Sequence, residues 1–241
     1  MPTLDAKREQ DVAAYAEDVR GALGDQCVGV VLYGSAAGSD WVPDRSDVNT
    51  AIVLRRASVT ALDALAPVIA AWRRRGFALP VVLDHEQVEH ARQLFPMELD
   101  DITRQHRLLA GTDPFAGMHT DEPALRRECA QEAFGKLLRL RAFYLEHRAD
   151  AAALARMMSE SVKSFLIVVR HLLRLRGEVV PHDYEAVLSA GETIVGALPA
   201  MRAVLAHRHA ARPDAKQLGD LAGEYVAEVE RVASAVTAYC A

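Results

Sequence analysis

Val30-Val31-Leu32-Tyr33-Gly34-Ser35, followed eleven residues later by Asp47-Val48-Asn49, is the stretch on which the fold turns. Val28–Tyr33 is a short β-branched run that stops at a glycine, the pattern of a buried strand. A polar segment, Gly34–Asp47, separates it from a second apolar run, Val48–Leu54. Asn49 stands out in that second run, because asparagine is a poor strand former and a buried amide needs a partner.

Working outward, Val12, Tyr15, Ala16, Val19 and Leu23 recur at helical spacing ahead of the first strand, and Gly24 closes the pattern. Leu62, Leu65, Val68 and Ala71 predict a helix over Ala61–Trp72 after the second strand, and Leu79–Leu83 is a third short apolar run. Asp84–Leu94 reads as a short helix capped by Asp84. Met97–Ile102 and His106–Ala110 fit strand or helix equally. Arg73-Arg74-Arg75 ends a helix before Gly76, where cations complement the macrodipole.

The character changes after Gly111. Gly111–Thr120 reads as a loop and a domain boundary, with Gly111, Pro114 and Gly117 in it. From Asp121 and Pro123 a long helical pattern keeps Leu125, Cys129, Ala133, Leu137, Leu140 and Tyr144 on one stripe. Ala151–Arg176, Asp183–Ala190, Thr193–His209 and Lys216–Tyr239 read as further helices, and no strand pattern recurs. The expectation is an α+β chain: a small mixed sheet with flanking helices over residues 1–115, then an antiparallel helical bundle over 116–241.

Composition narrows the function classes. Of 241 residues, 51% are hydrophobic and 25% charged, which excludes wholesale disorder. The net charge of −5 comes entirely from residues 1–120, which hold 12 Lys/Arg against 17 Asp/Glu, while the remainder holds 16 of each. That balance argues against a general nucleic-acid-binding surface. The three cysteines, Cys27, Cys129 and Cys240, are too few and too far apart for a disulfide framework or a metal site. No apolar run approaches the ~20 residues of a membrane span, and Met1–Arg20 carries no signal pattern. A cytoplasmic protein with no membrane partner is expected.

The chemistry concentrates at the first two strands. A buried strand ending in Gly34-Ser35 brings a backbone without a Cβ beside a hydroxyl, so that N–H groups and Ser35 can donate to phosphate oxygens. Alternate strand residues share a face, so Asp47 and residue 49 point the same way. Two carboxylates there, with a third from a neighbouring strand, would hold Mg²⁺ ions that activate an attacking hydroxyl.

Tyr33-Gly34-Ser35…Asp47-Val48-Asn49 resembles the signature of the polymerase-β-type nucleotidyltransferase superfamily, a hydrophobic-Gly-Ser followed by Asp-hydrophobic-Asp/Glu. The α/β-then-helical layout resembles that of aminoglycoside nucleotidyltransferases. Leu94–Glu98, His106–Pro114 and Leu137–Tyr144 resemble bacterial nucleotidyltransferase-like sequences as a group. The resemblance implies nucleotidyl transfer from ATP or another NTP to a small-molecule acceptor, with Mg²⁺ as cofactor. Gly34 and Ser35 would bind the nucleotide, and Asp47 and Asn49 would be the catalytic and metal residues. The sequence departs from the pattern twice: Asn49 is an amide where the family has an acid, and Leu79–Leu83 contains no acid. Asp84 is the nearest substitute for the third carboxylate, with Glu98, Asp100 and Asp101 as others. The alternative these departures raise is an inactive nucleotidyltransferase-fold protein acting as a ligand-binding or regulatory module.

Other constellations are weaker. His85 and His90 are five apart and His207 and His209 two apart, so neither is a standard ligand pair. His106, between Arg104 and Arg107, reads as surface. Arg202…His207 and Arg141…His147 match the loose Arg-then-His spacing of the HEPN helical ribonucleases. Two hits in an Arg-rich helical region, one with Ala203 where that family has a polar residue, favour exposed helix residues instead.

Overall fold

A computed structural model describes residues 4–38, 41, 47–180, 183–207 and 215–240. The chain divides into two compact units at Asp121/Glu122.

In the first unit, Asp5 accepts the Arg8 N–H at 2.7 Å and starts helix α1, Ala6–Leu23. Strand β1, Cys27–Tyr33, follows, then β2 (Asn49–Leu54), α2 (Val59–Arg73), β3 (Val81–Asp84), α3 (Gln87–Leu94), α4 (Pro96–Arg104) and β4 (His106–Gly111). The sheet order is β3-β2-β1-β4. β1 is antiparallel to both neighbours, with Tyr33 opposite Asn49 on one side and His106 on the other, whereas β3 runs parallel to β2. The sheet is therefore mixed, with α2 as the crossover between the parallel pair.

Strand alternation sorts the core onto two faces. Val30, Leu32, Ile52 and Leu54 pack with Val12, Tyr15 and Val19 of α1 and Leu65 and Trp72 of α2. Tyr15, Trp72 and Phe77 form an aromatic trio with centroids 4.8–5.8 Å apart. Trp72 Nε1 donates to Asp18 at 2.8 Å, and the Tyr15 hydroxyl meets Thr50 Oγ1 at 3.0 Å, so the polar ends of two buried rings are satisfied. On the opposite face Val31, Tyr33, Ala51 and Val53 pack with Val88 and Ala91 of α3, Leu99 and Ile102 of α4, and Phe115.

Every element described in the second unit is a helix: α5 (Glu122–Glu146), α6 (Ala151–Leu175), α7 (Tyr184–Val195), α8 (Pro199–His207), α9 (Ala215–Asp220) and α10 (Ala222–Cys240). α6 holds Val162, Phe165, Leu166, Val169, Leu172 and Leu173 in the core, as its nearly all-round apolar sequence requires. Asp150 and Asp183 cap α6 and α7 by accepting the N–H groups of Ala153 and Ala186, each at 2.9 Å. The fold is α+β, a small mixed sheet with flanking helices followed by a helical region. No described helix is long and apolar enough to cross a membrane.

Local details differ from the sequence expectation. Asp84 does not cap a helix: it ends β3, its carboxylate accepts the Ala57 N–H, and α3 begins after Glu86 without a side-chain cap. Of the two ambiguous runs the first is helix and the second strand. The Thr193–His209 pattern is split where α7 stops at Val195 and α8 begins at Pro199, and its last two residues lie outside the described set. The Lys216–Tyr239 pattern is interrupted at Leu221.

Candidate functional site

β1 leaves the core at Tyr33 and turns into a short 3-10 segment, Gly34–Ala37, while β2 begins beside it at Asn49. Gly34 has φ +74, and a Cβ placed there would lie 3.4 Å from Asn49 Nδ2, so the asparagine amide stands against this turn. A positive φ at such close quarters is the setting that favours glycine. The Gly34 N–H donates to the Gln105 carbonyl at 3.2 Å, and the Gln105 side chain lies over Gly38. Ser35 is half-buried, Asn49 half-buried and Asp47 exposed.

Pleat parity places residue 49 on one face with Ala51, Val53 and Tyr33, toward α3 and α4. The neighbouring position on β3 follows from the register: Ala51 pairs with Val81, so Leu79 and Val81 flank the start of β2. Both are apolar, and Leu79 is 63% exposed. Among the described residues, the donor set at the starts of β2 and β3 is one carboxylate, Asp47, and one amide, Asn49. That set suits a single Mg²⁺ and is short of charge for two.

Asp84 does not join this corner. It pairs with Leu54 at the other end of the parallel pair, about 16 Å along the strands from Asn49. The direction of β3 is the reason: a parallel strand carries its last residue away from the start of β2. Glu98, on α4, accepts a hydrogen bond from the Tyr33 hydroxyl. Burial pushes the Tyr33 phenol far above its ordinary range, and the adjacent Glu98 carboxylate adds to the shift. Asp100 is fully buried and accepts from Arg104 Nε at 2.8 Å and Thr120 Oγ1 at 2.6 Å.

His106 is not a surface residue. It sits half-buried at the start of β4, opposite Tyr33, with Nδ1 3.0 Å from the Ile102 carbonyl and Nε2 3.0 Å from Asp113 Oδ2. Both nitrogens face acceptors, so the ring satisfies them together only when it carries two protons. Burial pushes the Asp113 carboxyl up, but the His106 ring and the Phe115 N–H outweigh it and hold the group below its ordinary value. The spacing from His106 to Asp113 follows no short motif, and only the loop after β4 brings them together. The Arg202 guanidinium is held by Glu185 at 3.1 Å and Glu192 at 2.7 Å, and Arg141 by Glu230 at 2.7 Å. Both arginines of the Arg-then-His pairs are thus built into surface ion pairs.

A small mixed sheet with flanking helices, followed by a helical region, makes a nucleotidyltransferase-like fold. The chain is similar in structure to spectinomycin adenyltransferase AAD(9) from Enterococcus faecialis, crystallised with ATP and spectinomycin. The TM-score is 0.56 at 13% identity, over 90% of this chain and 99% of that one. At that identity the likeness speaks for the fold. No family model matches the sequence, and no curated protein matches it.

Proposed function

We propose that the Gly34–Asn49 corner is a nucleotide site, in which Gly34 and Ser35 receive the phosphates of ATP or another NTP and Asp47 holds one Mg²⁺. On this reading the protein is chiefly a binding module on a nucleotidyltransferase-like fold, and its transfer activity is weak. The observation that carries it is the β2–β3 register, which sets Leu79 and Val81, rather than an acid, beside Asn49. Mg²⁺ dehydrates reluctantly and is held mainly by carboxylates and phosphates, so an amide and two apolar neighbours give a second ion little to bind. When bound, the metal supplies charge neutralisation at the phosphates, and the chain's own part is to fix them at the turn.

A second reading, transfer of a nucleoside monophosphate to a small-molecule acceptor, is favoured by the extent of the likeness to an adenyltransferase, which spans nearly the whole of both chains. Calorimetric titration of Mg²⁺-ATP tests the two together. Ser35→Ala is expected to weaken binding and Asn49→Asp to tighten it about tenfold, the equivalent of one charge-assisted contact. If Asn49→Asp binds no better and melts earlier, Asn49 serves the core instead, and the new carboxylate is an unpaired charge in a half-buried strand. Tight two-metal binding by the natural protein, with turnover of an acceptor, would establish the second reading.

A further inference from the structure

The end of the sheet remote from Gly34 carries a groove of about 440 Å³, lined by Cys27, Val28, Arg55, His85, Glu86 and the Gly111-Thr112 corner. Its volume falls within the range of small-molecule sites. It opens where β2 and β3 end together, with Arg55 following Leu54 and His85 following Asp84, about 20 Å along β2 from Asn49.

The walls are fixed by main-chain bonds. Arg55 N–H donates to the Gln26 carbonyl at 2.8 Å, His85 N–H to Leu54 at 2.7 Å, and Thr112 N–H to Val28 at 2.9 Å. Backbone crowding fixes the corner too, since a Cβ on Gly111, which has φ +80, would lie 2.2 Å from the Val28 carbonyl oxygen.

Arg55, His85 and Glu86 are exposed at this groove. Arg55 Nε donates to the Asp25 carbonyl at 2.8 Å, which orients the guanidinium, and among the described residues Arg55 has no carboxylate partner. Glu86 forms no ion pair among the described residues, although it lines the same groove. A cation just past the end of β2 and an anion in the turn between β3 and α3 complement a ligand with the reverse pair. We propose that this groove is a second ligand site, distinct from the Gly34 corner, for a small zwitterion whose oxyanion meets Arg55 and whose ammonium meets Glu86. Arg55 suits that role because its planar fork matches carboxylate and phosphate oxygens. His85 lines the same groove.

Cys27 lines the groove and supplies a local readout, while Cys240 in the second unit serves as the internal control. Burial raises the Cys27 thiol pKa, with Arg20 opposing, so alkylation is followed by peptide mass at alkaline pH. The probes are phosphoethanolamine and β-alanine, against inorganic phosphate alone and ethanolamine alone. At millimolar concentration a zwitterion is expected to slow Cys27 alkylation severalfold and leave Cys240 unchanged. Which of the two protects distinguishes a phosphate from a carboxylate ligand. Arg55→Ala should weaken protection about tenfold or more, the loss of a charge-assisted pair. Arg55→Lys should keep part of it, and Glu86→Gln should make phosphate as effective as phosphoethanolamine. Unchanged melting and unchanged Mg²⁺-ATP binding in Arg55→Ala would show that the fold and the Gly34 corner are intact. The proposal is overturned if neither zwitterion protects Cys27, if phosphate alone protects the natural protein equally well, or if protection survives Arg55→Ala.

Discussion

Glu228 is 3% exposed, and its two carboxylate oxygens accept the N–H groups of Ala200 at 2.9 Å and Met201 at 2.8 Å. It thereby caps α8 from a neighbouring helix and meets the positive end of that helix dipole. Glu228→Ala would leave two buried donors unmatched, and urea unfolding is expected to show a loss of about 2–4 kcal/mol. Burial pushes this carboxyl above its ordinary 4.5, against the pull of the two N–H bonds. The folded chain then keeps the proton to higher pH than the unfolded chain. This group's contribution is therefore full below the ordinary carboxyl range and is lost as pH rises through the raised value. Asp113 has the opposite sign: its carboxyl is held below 3.8, so its contribution is present above that value and is lost as pH falls through the depressed one. Melting temperature against pH should show Glu228→Gln removing part of the decline on the neutral side and His106→Ala flattening part of the acid limb. Neither pair was legible from sequence, because both join residues through tertiary turns. Gly34 and Asn49 were readable as neighbours because they lie at the joined ends of two successive apolar runs.

At the scale of elements, legibility tracked how long and how apolar each run is. β1 and β2 are buried on both faces and announce themselves as continuous apolar segments, and α1, α5 and α6 carry stripes of several turns. Pro96–Arg104 and His106–Gly111 are short, half-polar and adjacent, so periodicity alone does not separate them. Their identities come from context: Pro96 at the first turn favours helix, and β4 is an edge strand with half of its residues exposed. The parallel direction of β3 was equally hidden, and it is what carries Asp84 away from Asn49. Pairing at β4 rests on Gly111, opposite Gly29, where the positive φ and the Val28 carbonyl leave no room for a side chain. Gly111→Ala is expected to cost about 1–3 kcal/mol by denaturant titration, from strained backbone and a displaced strand end. A variant as stable as the natural protein would contradict that pairing.

Over the whole molecule, the acidic excess sits in the half that carries the proposed nucleotide site, and the helical half is balanced. Random-sequence duplex DNA and RNA are accordingly expected not to bind with steep salt dependence, since few phosphates could be neutralised. Micromolar RNA binding that falls sharply between low and moderate salt would contradict this expectation and revive the ribonuclease reading of Arg202 and His207. Sequence patterning reached the division into an α/β part and a helical part because strand runs stop with β4. It also reached the shortage of acids at the corner, since Leu79–Leu83 contains none, but the register that sets this run beside the start of β2 is tertiary information. The most direct test is a crystal structure with a non-hydrolysable NTP and Mn²⁺ in place of Mg²⁺, with the metal located by anomalous scattering. The account predicts the triphosphate at Gly34 and Ser35 and one metal, bound by Asp47 and phosphate oxygens. Two fully occupied metals, or a nucleotide bound away from Ser35, would contradict it.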